Sequence, residues 1–490
     1  MLSIAIFLPL LTGLVVLVMP RGRPDLVRGV ALAGAALTLI VAVVLWTGFD
    51  SHGDALQWRT TAPWIPTIGA SYDVAVTGIS LALILLTAVL VLVVMIFVLP
   101  EYDRAHAHAF LFLLLATGLI GLFAAQDLLL FYLFFEIGLV PMYFIIGIWG
   151  SEHRRYAALK FFLYTRAGSL AMLLGFLGLY LAMEPHSFSL PAIIAAKPLA
   201  HSPAAATLVF FALLIGFGVK LPIVPLHNWL PDAHVEAPTE GSVVLAGLQL
   251  KMGGYGLLAV LLPVLPETFA RFGWLLVTLA LVSMVYGALA ALAQTDMKRL
   301  VAYTSVNHMA YVTLGAAVAA MVENTSVHQL AVNGATVQMV SHGLLTGGMF
   351  LMVGMLQHRA GTREIERFGG LVGQAPSFAG LFALLAFGSL GLPGFSGFIA
   401  EFQVIGAALQ LSVWVAAITV LGLILATAVY LRLVAAVLMG GPTLVTEKIA
   451  PLAAREAWSA VTVSVLSILI GVFPAALISV VSGAIRLMGQ

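Results

Sequence analysis

Residues 131–150 read FYLFFEIGLVPMYFIIGIWG, an apolar run with a single charged residue, Glu136. A helix of about 20 apolar residues is long enough to cross the hydrocarbon core of a bilayer. A carboxylate in the middle of such a helix costs at least about 2.5 kcal/mol, so it needs a partner, a water-filled cavity or a function. The stretch therefore predicts a membrane-spanning helix that carries a functional acid.

The composition extends this interpretation to the whole chain of 490 residues. Hydrophobic residues make up 62% and charged residues 9%, and the mean hydropathy is +1.09, whereas soluble domains carry about 25% charged residues. The net charge of +1 offers no basic surface for nucleic acid. Because the sequence has no cysteine, disulfides, thiolate zinc sites and cysteine-ligated iron–sulfur clusters are excluded from this chain.

Apolar segments of spanning length recur along the sequence. They predict an all-α polytopic membrane protein with about 14 transmembrane helices in a single membrane domain, residues 1–490. The predicted segments are 2–19, 27–48, 74–99, 107–125, 127–149, 157–183, 204–226, 239–263, 270–293, 296–320, 328–357, 377–408, 411–439 and 457–485.

Lysine and arginine are unequally distributed between the two sets of predicted loops. The loops that join an odd-numbered segment to the next even-numbered one hold Arg21, Arg23, Arg28, Arg104, Arg154, Arg155, Lys160, Lys298, Arg299, Arg359, Arg363, Arg367, Lys448 and Arg455. The opposite loops hold only Arg59, Lys197, Arg271 and Arg486. By the positive-inside rule, the cation-rich side is cytoplasmic. Both termini are therefore predicted on the outer side of an inner membrane, in the periplasm of a Gram-negative bacterium.

At least six ionisable residues fall at membrane depth within predicted spans, among them Glu136, Lys220, Lys251, His308, His342 and Glu401. Carboxylate, amine and imidazole groups can each gain and lose a proton when burial and neighbouring charges change their proton affinity. Such a series in separate spans predicts a path for protons or cations. The structural alternative is a set of inert buried ion pairs that fix helix packing.

Two spans contain prolines that are expected to break them near their middles. Pro222 lies in IGFGVKLPIVP of the seventh span, and Pro393 lies in GSLGLPGFSGF of the twelfth. Proline removes a backbone donor from a helix, and broken helices at membrane depth line transport sites in many transporters. Both spans are therefore predicted to be discontinuous.

The two breaks also indicate an internal repeat. Pro222 and Pro393 are 171 positions apart, and Glu136 and His308 are 172 apart. Two units of five spans are implied, and because five is odd the second unit enters the membrane from the opposite side. The predicted organisation is an N-terminal region of spans 1–3 (1–106), a first five-helix repeat of spans 4–8 (107–263), an inverted repeat of spans 9–13 (270–439) and a C-terminal span (440–490).

Three other stretches lead to simpler predictions. His227, Asp232, His234 and Glu236 in LHNWLPDAHVEAPTEG fit no standard zinc spacing, so this stretch is predicted to be a polar connection and not a metal site. In AQTDMKRL, Thr295 and Asp296 are predicted to cap the tenth span, with Lys298 and Arg299 as interfacial anchors. No convincing strand is visible, and residues 51–72 are predicted to be an external loop.

Several of these stretches resemble the antiporter-like membrane subunits of respiratory complex I, and most closely the M type. The matching stretches are FFEIGLVPMYFIIGIWG followed by YAALKFFLYT, PIVPLHNWLPDAHVEAPTEGSVVLAG, TDMKRLVAYTSVNHM and GLPGFSGFIAEF. The resemblance implies a proton-translocating subunit whose redox chemistry takes place in other chains. It implies no cofactor in this chain, NADH, FMN, iron–sulfur clusters and quinone in partner subunits, and neighbours of the L and N types. A subunit of a multi-chain sodium/proton antiporter, which shares this ancestry, is the alternative.

The resemblance also assigns roles to residues. It implies that Glu136 is the carboxylate paired with Lys220 in the broken seventh span. Lys251 and His308 would relay protons along a central hydrated axis, with His342 nearby. Glu401 would be the terminal group, and a glutamate there, where related chains have lysine, favours the M type. Arg166 in LYTRAGS departs from the pattern, because an apolar residue is expected at that position.

Overall fold

In the computed structural model, the described residues are 1–20, 22–98 and 104–485. Three predicted features lie outside these ranges. They are the loop positions of Arg21 and Arg486 and the end of the third predicted segment at residue 99. The helices are α1 (Leu2–Val18), α2 (Pro24–Thr47), α3 (Gly78–Phe97), α4 (Ala105–Ala124), α5 (Leu128–Trp149), α6 (Arg154–Ala182), α7 (Leu190–Ala196), α8 (Pro203–Lys220), α9 (Leu230–Glu236), α10 (Thr239–Val244), α11 (Leu250–Tyr255), α12 (Leu262–Val264), α13 (Pro266–Arg271), α14 (Gly273–Leu292), α15 (Met297–Met321), α16 (Thr325–Ala360), α17 (Leu371–Gln374), α18 (Pro376–Ser389), α19 (Ser396–Leu411), α20 (Val413–Leu438), α21 (Ala454–Val472) and α22 (Ala475–Ile485).

The predicted helical membrane fold is confirmed. Among the described residues, 11 helices are long and apolar enough to cross a membrane, and the stretch Thr239–Val264, which holds α10 to α12, counts as one of them. The other three predicted segments coincide with α1, α15 and the pair formed by α18 and α19. The total of about 14 spans and the two inverted repeats stay predictions.

The seventh and twelfth spans are discontinuous, as predicted. The helix α8 ends at Lys220 and the next helix begins at Leu230, while α18 ends at Ser389 and α19 begins at Ser396. Pro222 and Pro393 lie in these two gaps, where the missing proline N–H cannot continue a helix. A third irregularity was not predicted: π-helical turns at Leu245–Gln249 and Gly256–Leu261 flank α11, which carries Lys251.

The helix α16 runs through the interior of the bundle. All of its residues from 331 to 356 are buried, as expected for a helix surrounded by others. Its backbone approaches the π-helical turn Leu245–Gln249 closely: a Cβ atom at Gly343 would lie 2.9 Å from the Gly247 carbonyl oxygen, and one at Gly247 would lie 3.4 Å from the Gly343 oxygen. Small residues allow helix backbones to pack this tightly. The contact brings the helical stretches that carry Lys251 and His342 together.

The prediction that the chain has no strand is wrong, because the segment predicted to be an external loop contains most of a β-hairpin, whereas its external position stays a prediction. Strands β1 (Gln57–Ile65) and β2 (Ala70–Val76) pair antiparallel. A two-stranded ribbon is marginal by itself and needs packing from its neighbours. Here Asp127 supplies an anchor, because its carboxylate accepts a hydrogen bond from the Ser71 backbone N–H at 2.9 Å and also caps α5. The hairpin is thus fixed to the start of the helix that carries Glu136.

Candidate functional site

The first group of functional side chains, here called the Glu136 cluster, consists of Glu136, Arg166, Lys220 and Gln249. Glu136 on α5 forms an ion pair with Arg166 on α6, and their side chains are 16% and 39% exposed. Arg166 also donates to the Tyr132 hydroxyl at 3.3 Å. The second carboxylate oxygen, Glu136 Oε1, is buried and has no hydrogen-bond partner in the described part of the chain. The cation that departs from the family pattern is therefore the ion-pair partner of the predicted acid.

Lys220 of this cluster contacts an amide. Its Nζ donates to Gln249 Oε1 at 3.1 Å, and Gln249 Nε2 donates to the Gly138 carbonyl at 2.6 Å. Within the residues that the structure describes, no ion pair joins Lys220 to Glu136, so the structure differs from the predicted pairing. The physical reason is competition, because the fork of the Arg166 guanidinium matches carboxylate geometry better than an ammonium does.

The break after α8 fixes the position of Lys220 at the end of that helix. Pro222 cannot donate to the Gly218 carbonyl, which accepts instead from the Ile223 N–H at 2.9 Å. The Val219 carbonyl accepts from Trp229 Nε1 at 2.9 Å. These contacts satisfy the end of the broken helix inside the protein, where free carbonyl groups would be costly. Lys220, the last residue of α8, is consequently fully buried.

The second group, here called the Glu401 cluster, consists of Lys251, His342, His308 and Glu401. Lys251 Nζ lies 2.7 Å from His342 Nδ1 and donates to the Ala246 carbonyl at 2.5 Å. The His342 and His308 rings are 6.1 Å apart at their centroids, and His308 Nδ1 lies 3.5 Å from Glu401 Oε1. None of these four residues is more than 4% exposed. The structure thus brings four of the six predicted residues into one continuous series.

Three polar atoms of the Glu401 cluster, namely His342 Nε2, His308 Nε2 and Glu401 Oε2, have no hydrogen-bond partner among the residues that the structure describes. Their side chains line a small cavity together with Gln338 and Ser341. The cavity has room for about one water molecule, and its lining supplies several polar partners for it. A hydrated contact between the histidines and the carboxylate is therefore chemically feasible.

One helical stretch connects the two clusters. Gln249 and Lys251 are two residues apart, and side chains two apart on a helix point in nearly opposite directions. Gln249 contacts Lys220 on one side, and Lys251 contacts His342 on the other. The Ala246 carbonyl that accepts from Lys251 lies in the same π-helical turn as Gln249.

The contact between Gln249 and Lys220 was not predicted from the sequence. The available signal was an amide within the apolar stretch LAGLQLKMGG, two positions before a lysine. Buried amides, like buried charges, require partners.

Lys298 was assigned wrongly as an interfacial anchor. It is 2% exposed, and its Nζ donates to the Ala237 carbonyl at 2.8 Å. His234 is fully buried, stacks on Phe350 with ring centroids 4.5 Å apart, and lies within electrostatic range of both Lys298 and Lys251. The neighbouring Asp296 does cap α15, as predicted. Burial of Lys298 depends on chain segments distant in sequence, so no local signal marked it.

Comparison with known proteins identifies the family to which this chain belongs. The family model described as NADH:quinone oxidoreductase/Mrp antiporter, TM, matches residues 125–427. The NADH-quinone oxidoreductase subunit M of Rhodobacter capsulatus is 40% identical over 493 residues, covering 97% of this chain and 93% of that protein. Subunit M of Rickettsia conorii is 40% identical over 446 residues, covering 90% of this chain and 88% of that protein.

Solved structures agree with this assignment. A chain of respiratory complex I from Thermus thermophilus with bound NADH superposes with a TM-score of 0.87 at 31% identity, with 100% of each chain covered. A chain of the Mrp complex from Dietzia sp. DQ12-45-1b has a TM-score of 0.85 at 22% identity, covering 100% of this chain and 97% of that one, and supports the shared fold alone. The chain belongs to the NADH:quinone oxidoreductase/Mrp antiporter membrane-subunit family, and within it to the subunit M group.

Proposed function

We propose that this chain is a proton-translocating, antiporter-like subunit of an NADH:quinone oxidoreductase. The observation that carries the proposal is the buried contact between Lys251 Nζ and His342 Nδ1 at 2.7 Å, continued by His308 and Glu401. Amine, imidazole and carboxylate groups in series can transfer a proton from one group to the next, because each group can accept and release a proton. Relatives named subunit M at 40% identity support the same function.

The atoms suggest how a proton would move through the Glu401 cluster. His342 accepts a proton at Nδ1 from Lys251 and releases one from Nε2, on a ring that lines the cavity. His308 and Glu401 then receive the proton, directly or across one water. A histidine suits this step because its two ring nitrogens can accept on one side while the other side releases.

The Glu136 cluster controls the charge near this path. When Glu136 moves relative to Lys220, the electrostatic environment of the lysine changes, and with it the proton affinity of the groups beyond. Quinone reduction in partner subunits would drive such a change. NADH, FMN, the iron–sulfur clusters and quinone are assigned to those partners, and the membrane-arm neighbours to chains of the L and N types.

The remaining finer predictions are part of the same proposal. The protein lies in the inner membrane with both termini on the periplasmic side, since the cation-rich loops are cytoplasmic by the positive-inside rule. The first repeat, residues 107–263, supplies the Glu136 cluster together with Lys251. The second repeat, residues 270–439, supplies His308, His342 and Glu401. Sodium/proton antiport is supported at the level of the shared fold alone.

The experiment is proton pumping measured beside NADH:quinone turnover in membranes that carry Glu136→Gln, which keeps the shape but removes the titratable carboxylate. We expect both to be lost. Glu152→Gln is the matched control, because Glu152 is an exposed carboxylate just beyond the same helix. Normal pumping and turnover in Glu136→Gln would contradict the proposal, and pumping that requires sodium in the native enzyme would favour the antiporter alternative.

A further inference from the structure

We infer that Gln249 is a positioning residue for Lys220. Its uncharged amide competes with the Glu136 carboxylate as the hydrogen-bond partner of the lysine, and so gives the lysine a second position. This inference rests on the proposed function and adds a regulating residue to the same site. It starts from a mismatch: the buried lysine contacts an amide, while the carboxylate expected to pair with it is engaged by Arg166.

The orientation of the Gln249 amide follows from its contacts. The Gly138 carbonyl can only accept, so the group that contacts it at 2.6 Å must be the NH₂ end of the amide. The oxygen end therefore faces Lys220 at 3.1 Å. A reversed amide would place its oxygen against the Gly138 oxygen, and this contact between two acceptors would be repulsive.

The other surroundings of Lys220 are aromatic. Its Nζ lies 5.0 Å from the ring centroid of Phe161, 5.8 Å from that of Trp229 and 5.9 Å from that of Phe135. Within the described part of the chain, Gln249 is the one side chain that accepts a hydrogen bond from Lys220. The lysine thus has two polar positions available to it, Gln249 now and the Glu136 carboxylate if Arg166 releases it.

The chemical type of residue 249 affects which of these two positions Lys220 occupies. An amide holds a lysine by a single hydrogen bond without a charge of its own, so the lysine can leave it for a carboxylate. A carboxylate at position 249 would hold the lysine far more strongly in a buried environment. We therefore expect glutamine to keep the two positions close in free energy, which a switch requires.

The position of Gln249 also links the two clusters. It ends the π-helical turn Leu245–Gln249, whose Ala246 carbonyl accepts from Lys251 at 2.5 Å. Departure of Lys220 from Gln249 removes one restraint on this turn, and the same turn restrains Lys251. Irregular turns of this kind are common at functional sites.

The test uses Gln249→Glu and Gln249→Met in the assembled enzyme, with Gln374→Glu and Gln374→Met as controls. Gln374 is an exposed glutamine at the end of α17 that belongs to neither cluster. We expect Gln249→Glu to lower turnover and pumping by about tenfold or more, because a hydrogen bond to a charged group is worth about one order of magnitude. The Gln374 variants should retain both activities to within about twofold, as exposed substitutions usually do.

Gln249→Met provides the readout that a purely structural role would not change. In a structure of the assembled variant, we expect Lys220 Nζ within about 4 Å of a Glu136 carboxylate oxygen. Lys220 left in its present position, or wild-type activity in Gln249→Glu, would overturn the inference. If Glu136→Gln abolishes pumping while both Gln249 variants behave as wild type, the proposed function stands and this inference alone fails.

Discussion

The Glu136 cluster keeps its acid in an ion pair with a permanent cation, whereas the Glu401 cluster keeps four proton-exchanging groups close together and partly unpartnered. An arginine guanidinium does not release its proton under ordinary conditions, so Arg166 can act on its neighbours by charge but cannot pass a proton. Every member of the Glu401 cluster can do so. We therefore propose that the Glu136 cluster sets the electrostatic field and that the Glu401 cluster conducts the proton.

Exposure reinforces this contrast. The Arg166 side chain is 39% exposed, while no member of the Glu401 cluster exceeds 4%. Partial exposure weakens an ion pair, and burial strengthens every electrostatic interaction. Substitutions in the Glu401 cluster should therefore have larger effects than substitution of Arg166.

Of the Lys251, Gly391 and Arg166 substitutions, Lys251→Met is expected to have the largest effect. The variant removes the first donor to His342 while approximately keeping the side-chain length, so pumping should fall by about a hundredfold or more, the usual contribution of an acid–base group. Proton pumping and NADH:quinone turnover in the assembled enzyme are the measurements. Lys197→Met, at an exposed lysine, is the control. Full pumping in Lys251→Met would favour the alternative of inert buried ion pairs.

An intermediate effect is expected for Gly391→Ala. Gly391 has a φ of +80°, and a Cβ atom there would lie 2.3 Å from Glu401 Oε2. The methyl group should displace the carboxylate, and a shift of about 1 Å at a reacting group can cost up to a hundredfold in rate. We expect pumping to fall by roughly tenfold.

Gly394→Ala is the matched control for this substitution. Gly394 lies in the same break with a φ of +99°, but nothing lies within 4 Å of its added Cβ. Both variants suffer the left-handed backbone strain of about 1–2 kcal/mol, and only the first displaces Glu401. Equal losses of pumping in the two variants would show that strain, and not the position of the carboxylate, is responsible.

The smallest effect is expected for Arg166→Gln. A partly exposed ion pair contributes up to about 1 kcal/mol, so pumping should change by no more than about fivefold. Arg155→Gln, at an exposed arginine at the start of the same helix, is the control. A loss as severe as that in Lys251→Met would contradict the proposed division between the two clusters.

Much of this organisation could be predicted from the sequence. The apolar segments, the breaks near Pro222 and Pro393 and the burial of all but one of the six ionisable residues to 4% exposure or less agree with the structure. Glu136 is the exception, with a side chain that is 16% exposed. The hairpin formed by β1 and β2 was missed because its strands depend on contacts with Asp127, 56 positions from Ser71.

The sequence by itself determined the apolar segments that form the long helices and the places where two helices break, because the hydropathy of a segment and the missing proline N–H are local properties. Only the tertiary structure decided which ionisable side chains contact which partners. Lys220 contacts Gln249, 29 positions away, and Lys251 contacts His342, 91 positions away. Glu136 pairs with Arg166 and not with Lys220. Such choices depend on the distance and orientation between packed helices, and no local pattern in the chain contains that information.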